Sequence, residues 1–332
     1  MKWQFRPTLE TSRATPPNGK RRCQGALLVA ATAGLILAWA GPAHSAEPDH
    51  GTFSFVLEND LFAGFDRDYT NGIRLSWTSG VDEVPVWALR AARVLPMFPD
   101  AGTVRASYVV GQSIYTPSDI TRENPPGDDR PYAGWLYGAI GLMAETGTRL
   151  DQLQVQLGVV GPYAFAEETQ TLVHEIVGSD KPQGWDHQIH NEPGIVITYE
   201  RSWRALAAAS EGGLGFDATP HIGGALGNVL TYGNLGATLR VGYNMPNDYG
   251  PPRIEPSLPG SGYFERQDEF GWYLFAGFDG RAVARNIFLD GNSFEDSRSV
   301  DKNIFVGDLQ VGIAFALGST RIAYTHVFRT PE

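Results

Sequence analysis

From about residue 50 onward the chain alternates apolar and polar residues with a period of two. Leu153, Val155, Leu157 and Val159 interleave with Gln152, Gln154 and Gln156, and Ile73, Leu75 and Trp77 interleave with Arg74, Ser76 and Thr78. The same rhythm runs through Leu235–Tyr243, Phe305–Phe315 and Ile322–Phe328. Successive side chains of a strand point to opposite faces, so each segment carries one apolar and one polar face. The pattern predicts eleven strands, near 52–60, 70–80, 104–115, 132–145, 149–160, 194–206, 214–226, 234–244, 270–289, 303–316 and 319–329. The stretch 270–289 is long, but no turn signal divides it. Two helical segments interrupt the rhythm, around Val86–Val94 and over Ala166–Val177. In the second, Glu167 and Glu168 sit in the first turn, where they suit the dipole, and Gly178 follows as a C-cap.

Segments of about ten residues with dyad alternation, aromatic ends and turns between them are the mark of an outer-membrane barrel. A soluble β-sandwich or secreted barrel is the alternative. Connection lengths orient a barrel, because periplasmic turns are short and outer loops long. If the first strand starts in the periplasm, the links 146–148, 207–213 and 317–318 face it, and 116–131 and 161–193 face outside. The links 81–103 and 245–269 are long for the periplasmic side; the first holds the helix near 86–94 and the second is an extended Pro/Gly-rich loop.

The N-terminus reads as an address. Lys20, Arg21 and Arg22 precede an uncharged run, Gly25–Ala40, and Ala43-His44-Ser45 fits a cleavage site before Ala46. A signal anchor is the rival reading. The expected division is a signal peptide over 1–45 and a barrel domain over 46–332. Removing the six basic residues and Glu10 of that leader leaves 20 basic against 36 acidic residues, net −16, against −11 for the 332-residue chain. Either figure excludes the basic face that nucleic acid requires. The single cysteine, Cys23, lies in the leader and excludes a disulfide framework and a Cys-rich zinc site. The remaining chain is too aromatic and apolar for disorder.

The unusual polar residues concentrate in the outer connections. The first carries Glu58-Asn59-Asp60, then Asp66-Arg67-Asp68-Tyr69-Thr70. The third carries Arg122 and Asp129-Arg130-Pro131-Tyr132. The fifth carries the helix, Asp180 and Trp185–Glu192. On the helix Gln170 and His174 are four apart and share a face. A histidine there suits general-base work near neutral pH; a solvated loop histidine is the alternative. His187, His190, His221 and His326 read as structural. Asn59, Asp60 and Thr70 could hold a hard cation, or only shape a turn. Arg67, Arg122 and Arg130 could grip phosphates, or only pair with nearby aspartates. There is no Gly-x-Ser-x-Gly elbow, no second histidine for a zinc protease and no P-loop, so hydrolysis here would use activated water.

These segments resemble the lipid A 3-O-deacylase family, the LpxR-type outer-membrane proteins. The resemblance spans 51–330. It is carried by Glu58-Asn59-Asp60, Asp66-Arg67-x-Tyr69-Thr70-x-Gly72, Ile114-Tyr115-x-Pro117, Asp129-Arg130-Pro131-Tyr132-Ala133, Gly161-Pro162, Gln170-x-x-x-His174-x-x-x-Gly178 and Trp185-x-x-Gln188-x-x-Asn191-Glu192-Pro193. It implies an all-β, transmembrane antiparallel β-barrel of the twelve-stranded type with a short helix in an outer loop. It further implies Ca²⁺-dependent hydrolysis of the 3′-acyloxyacyl ester of lipid A, in the outer membrane of a Gram-negative bacterium, by a monomer acting on lipopolysaccharide. Under it His174 is the base, with Asn59, Asp60, Thr70 and Gln170 at catalytic positions. Asp60, Asn59 and Asp180 are then the expected metal ligands, and Arg122, Arg67 and Arg130 the expected substrate contacts. Arg122 stands where the family has Lys, and Asp180 where it has Glu. The chain stops at Arg329-Thr330-Pro331-Glu332, where family members continue into a last strand, so one strand is expected to be missing. A phospholipase-like barrel esterase and a non-catalytic barrel are the competing functions.

Overall fold

The computed structural model describes residues 36–39, 51–59, 71–98, 102–251, 262, 264 and 267–332. Asp60, Arg67, Thr70 and most of the expected leader lie outside the described residues. The strands are β1 (Ile36–Trp39), β2 (Thr52–Asn59), β3 (Asn71–Thr78), β4 (Thr103–Tyr115), β5 (Ala133–Thr146), β6 (Arg149–Val160), β7 (Glu192–Trp203), β8 (Ala207–Glu211), β9 (Leu214–Gly227), β10 (Leu230–Tyr243), β11 (Gln267–Asn286), β12 (Phe305–Gly318) and β13 (Thr320–Arg329). The eleven long ones answer to the eleven predicted, and β11 runs undivided. The short β8 continues β7 past a turn at Ala205, whose φ is 52°, and pairs with the foot of β9.

All pairings are antiparallel; apart from β1 with β13 and β7 with β9 they join sequence neighbours, and β9 links β7 to β10. The sequence left two strand edges unpartnered. Here β1 lies between them, Ile36–Trp39 against Thr320–Ala323 and Leu37–Trp39 against Phe53–Phe55. The pairing therefore runs right round. Open edges cannot satisfy their N–H and C=O groups in lipid, and an uncharged extended segment that meets both relieves them.

The two faces of the sheet are inverted relative to a water-soluble protein. Large apolar residues such as Phe53, Leu75, Val110, Ile140, Leu157, Leu239 and Phe328 are exposed on the outside. The polar set of the same strands is buried inside, including Gln152, Gln154, Glu200, His221, Arg240, Asp279, Arg281, Asp308 and Arg321. An apolar wall around a polar interior is the transmembrane barrel arrangement. The interior is filled. Arg321, Asp308 and Arg281 are only 0%, 1% and 3% exposed. Asp308 accepts paired hydrogen bonds from Arg329 at 2.9 and 3.0 Å, and Arg281 bridges Asp308 and Asp279. Above them Tyr115 stacks on Phe288 at 3.8 Å, within an apolar cluster that includes Trp135, Tyr232 and Val283.

Helix α1 (Val86–Val94) and helix α2 (Ala166–Val177) form where the pattern predicts them; α3 (Ile287–Asp290) is a single turn after β11. Among the described residues no helix is long and apolar enough to cross a membrane. The tight turns at 147–148, 212–213 and 319 share one rim with α1, which is the periplasmic rim by the length rule. The links 116–132, 161–191 and 287–304 share the other.

Candidate active site on the outer wall

Strand alternation decides which side of the wall the site occupies. On β4 the exposed large apolar residues are Tyr108 and Val110, so even positions face outward; on β5 the exposed Ile140 sets the same parity. Ile114 and Gly134 are therefore outward-facing, yet Ile114 is buried. It is covered by Ala166 and Trp185, with Ile120 and Tyr132 in the same cluster. A Cβ on Gly134 would stand 2.6 Å from the Ala166 Cβ and 2.9 Å from that of Ala164. The fifth connection thus folds down over the outside of the barrel at its outer end, and α2 lies against the wall of β4 and β5, not over the lumen.

Local chemistry holds that loop in place. Gly161, with φ 88°, turns the chain where a Cβ would meet the His190 carbonyl at 2.5 Å. Gln112 Nε2 donates to the Ala164 carbonyl at 2.6 Å, and the Gln183 amide donates to the Ile120 carbonyl at 2.9 Å. The third connection is braced internally, Asp129 accepting from the Ser118 amide and hydroxyl at 2.9 and 2.6 Å. Arg298, from the link after α3, donates to Asn124 and to the Pro125 carbonyl.

Ala166, Gln170 and His174 are the buried line of α2, spaced by four; Leu172, Ile176 and Val177 are exposed. His174 Nδ1 lies 2.5 Å from the Asp180 carbonyl oxygen. A carbonyl only accepts, so Nδ1 carries a proton, and in the neutral ring Nε2 then holds the lone pair. The turn that brings Asp180 back depends on Gly178 in the left-handed region, with the Gly178 and Ser179 amides both donating to the His174 carbonyl. Gln170 Oε1 accepts from Trp185 Nε1 at 2.9 Å, which orients the amide. Its Nε2 is buried with no partner among the described residues. Burial raises the carboxyl of Glu167 above its usual range, helped by Glu168 and Asp186.

The expected site residues are distributed as follows. Asn59, described by its backbone alone, pairs with Asn71, and Asn71 with Ile114, which pairs with Gly134. One row of the sheet therefore leads from Asn59 to the wall under α2. Two strand spacings, about 10 Å, separate Asn59 from Ile114. Asp180 reaches His174 through its carbonyl while its side chain is exposed. Arg122 is exposed and paired with Asp119 at 3.1 Å. Arg130 is buried, paired with Glu332 at 2.8 Å and placed over the Tyr115 ring. Burial pushes the Glu332 carboxyl up, but Arg329 and Arg130 more than offset it and hold the group below its usual range.

The sequence profile of the family described as outer membrane protein LpxR matches residues 27–332. The chain belongs to that family. A solved structure, LpxR from Salmonella typhimurium, superimposes with a TM-score of 0.64 at 20% identity, covering 89% of this chain and 99% of that one. At that identity the likeness establishes the fold. Among curated proteins none matches this chain in sequence. Family membership makes the apolar wall that of an outer-membrane protein, so α2 lies at the height of the outer leaflet by the loop-length orientation.

Sequence reasoning assigned no role to two residues of this candidate site. Trp185 orients Gln170, and only the tertiary approach of the loop reveals it. Asn71 opens β3 beside Ile114; it is buried, and its Oδ1 has no partner among the described residues. Its place at the end of an alternating strand, in an Asp/Asn-rich run, was the available signal.

Proposed function

We propose that this chain is a lipid A deacylase that hydrolyses the 3′-acyloxyacyl ester. The observation that carries the reading is His174: buried, with Nδ1 committed to a carbonyl, on a helix that covers the outer wall of a lipid-facing barrel. Nε2 takes a proton from water, which attacks the ester carbonyl. The free N–H of Gln170 donates to the oxyanion that forms. As the tetrahedral species collapses, the imidazolium returns its proton to the departing sugar alkoxide. The products are one carboxylic acid and one alcohol. The exposed Tyr163, Phe165, Leu172, Ile176 and Val177 offer acyl chains an apolar surface beside His174.

Among the described residues no three His, Cys, Asp or Glu side chains converge. The unpartnered Asn71 Oδ1 is nonetheless a hard neutral donor of the kind Ca²⁺ takes, and fits it together with Asn59, Asp60 and Asp180. When bound there, Ca²⁺ would supply positive charge for the developing oxyanion. Thr70 completes the polar set, and Arg67 and Arg122 meet the lipid A phosphates. Because Ile36–Trp39 closes the sheet between β13 and β2, an export leader would have to end before Ile36, and the barrel works as a monomer.

The test is mass spectrometry of lipid A from a host that makes the protein, with and without a calcium chelator, alongside His174→Ala. The expected result is loss of an acyloxyacyl group that needs both the metal and His174. An unchanged lipid A with the barrel present would reject the reading, and a changed phospholipid profile would replace it with phospholipase activity.

A further inference from the structure

The second feature on the outside of the barrel is α1, at the opposite end from the site. Its packing face is Ala88 and Ala92, both buried, joined by Phe98 just beyond the helix. They cover Ala106, Leu142 and Ala144, with Val104 and Leu153 alongside. By the parity above, Ala106, Leu142 and Ala144 face outward. Helix α1 therefore lies against the lipid-facing wall and does not plug the lumen.

Its height on the wall is fixed by the rows it covers. One row runs Ala106–Leu142–Leu153–Tyr199, and the next row toward the periplasm runs Val104–Ala144–Asp151–Arg201. The second row is where charge first appears on this part of the outer wall. Asp151 is buried there and accepts from Arg149, Arg201 and Tyr199 at 2.9, 2.6 and 2.6 Å. Arg201 also reaches the Met97 carbonyl, three residues past the end of α1. Trp87 of α1 donates to the Tyr108 hydroxyl at 3.2 Å, and Trp77 stacks on Tyr108 at 5.9 Å. A belt of Trp and Tyr above a charged row is the signature of the membrane–water boundary.

The rest of α1 suits that boundary. Val86, Trp87, Leu89 and Val94 are exposed at 62%, 40%, 38% and 81%. Arg90 and Arg93 are also exposed, and neither has an ion-pair partner among the described residues. The acids Asp82 and Glu83 precede the helix and sit at its positive end, leaving the C-terminal half cationic. Just beyond that half Arg201 meets the chain at Met97, and it shares Asp151 with Arg149.

We propose that α1 is an interfacial helix of the periplasmic leaflet. Its apolar residues enter the acyl boundary, and Arg90 and Arg93 bind the phosphates of anionic phospholipids. The occupant is argued from continuity with the lipid-facing wall and from the unbalanced positive charge. The inference rests on the barrel alone and is independent of any activity.

The test places a bimane fluorophore at position 94 of the full chain, using Val94→Cys in a Cys23→Ser background. The protein is refolded into phosphatidylcholine vesicles containing brominated phosphatidylglycerol or brominated phosphatidylcholine. A fluorophore at Leu157→Cys, on the lipid-facing wall, serves as the reference quenched by both. At position 94 both lipids should quench, and the brominated phosphatidylglycerol should do so at lower mole fraction, by up to about thirtyfold for two arginines. In Arg90→Gln/Arg93→Gln, whose exposed positions spare the fold, the two lipids should become equivalent. Quenching at 94 by aqueous iodide but by neither lipid would overturn the interfacial helix. Equal quenching by both lipids in the unsubstituted chain would overturn the anionic preference.

Discussion

A histidine becomes a base through the commitment of its other nitrogen, and at His174 that commitment is to a backbone carbonyl, which no side-chain substitution at Asp180 removes. His174→Ala should therefore lower deacylation by roughly 10²–10⁴-fold, while Asp180→Ala retains far more activity unless its carboxylate also holds the metal. Single-turnover assays on purified barrels would check the ranking. His174 and Gln170 were legible in the sequence because helical spacing alone places them together. The Trp185 contact and the Asp180 carbonyl were not, because they depend on how a loop returns. Arg130 illustrates the same gap: its charge suggested phosphate or a neighbouring aspartate, and its ion-pair partner is Glu332, 202 residues away. Asp248 carries a pH prediction. Burial pushes its carboxyl up, but Arg321 and Arg240 more than offset this and hold it below its ordinary value of 3.8. A depressed carboxylate stabilises the fold above its unfolded pKa, and that contribution fades as pH falls through the folded one. Urea titrations followed by gel mobility should show barrel stability dropping below about pH 4. Asp248→Asn should cost about 3–5 kcal/mol at neutral pH and flatten the acid limb.

Helices and strands were legible wherever a local period exists. Both α1 and α2 start and stop where the pattern changes, since Pro85 and Gly178 bound them in sequence as well as in space. The pairing of β1 was not legible, because the same apolar run also satisfies the grammar of an export leader. Which side of the wall α2 occupies was also hidden; it required the register of Ile114 and Gly134. That placement makes Gly134 a test of the element. Gly134→Val puts a branched side chain where Ala164 and Ala166 now sit, so α2 must lift. The expected outcome is a barrel with normal heat-modifiability and strongly reduced deacylation, whereas full activity would mean that α2 need not contact the wall. Gly178→Ala meets no neighbouring atom and differs only in backbone conformation. It should cost about 1 kcal/mol, visible as a small fall in the thermal midpoint and little change in rate.

Across the whole molecule, polarity is turned inside out, and the two functions a barrel can serve part ways on what fills it. A pore needs a wetted lumen. Here Asp279 and Arg281 of β11, Asp308 of β12 and Arg321 of β13 are buried in ion pairs with almost no exposure, and Tyr115 and Phe288 close the outer end. The cavity between Tyr115, Tyr232, Arg281 and Glu332 holds about 20 Å³, room for roughly one water. Under the proposed function the chemistry lies on the outer surface, where a lipid substrate would arrive by lateral diffusion without entering the barrel. The protein in a planar bilayer should accordingly show no steady conductance, and porin-like currents would refute a filled lumen. The filling should also carry stability. Arg281→Ala takes one cation from each of Asp279 and Asp308, and breaking such a buried pair costs about 3–5 kcal/mol. A lower urea midpoint without new conductance is the expected result, because the aromatic cluster above still seals the lumen. If the midpoint holds and current appears, the charge network is lining a channel and not packing a core.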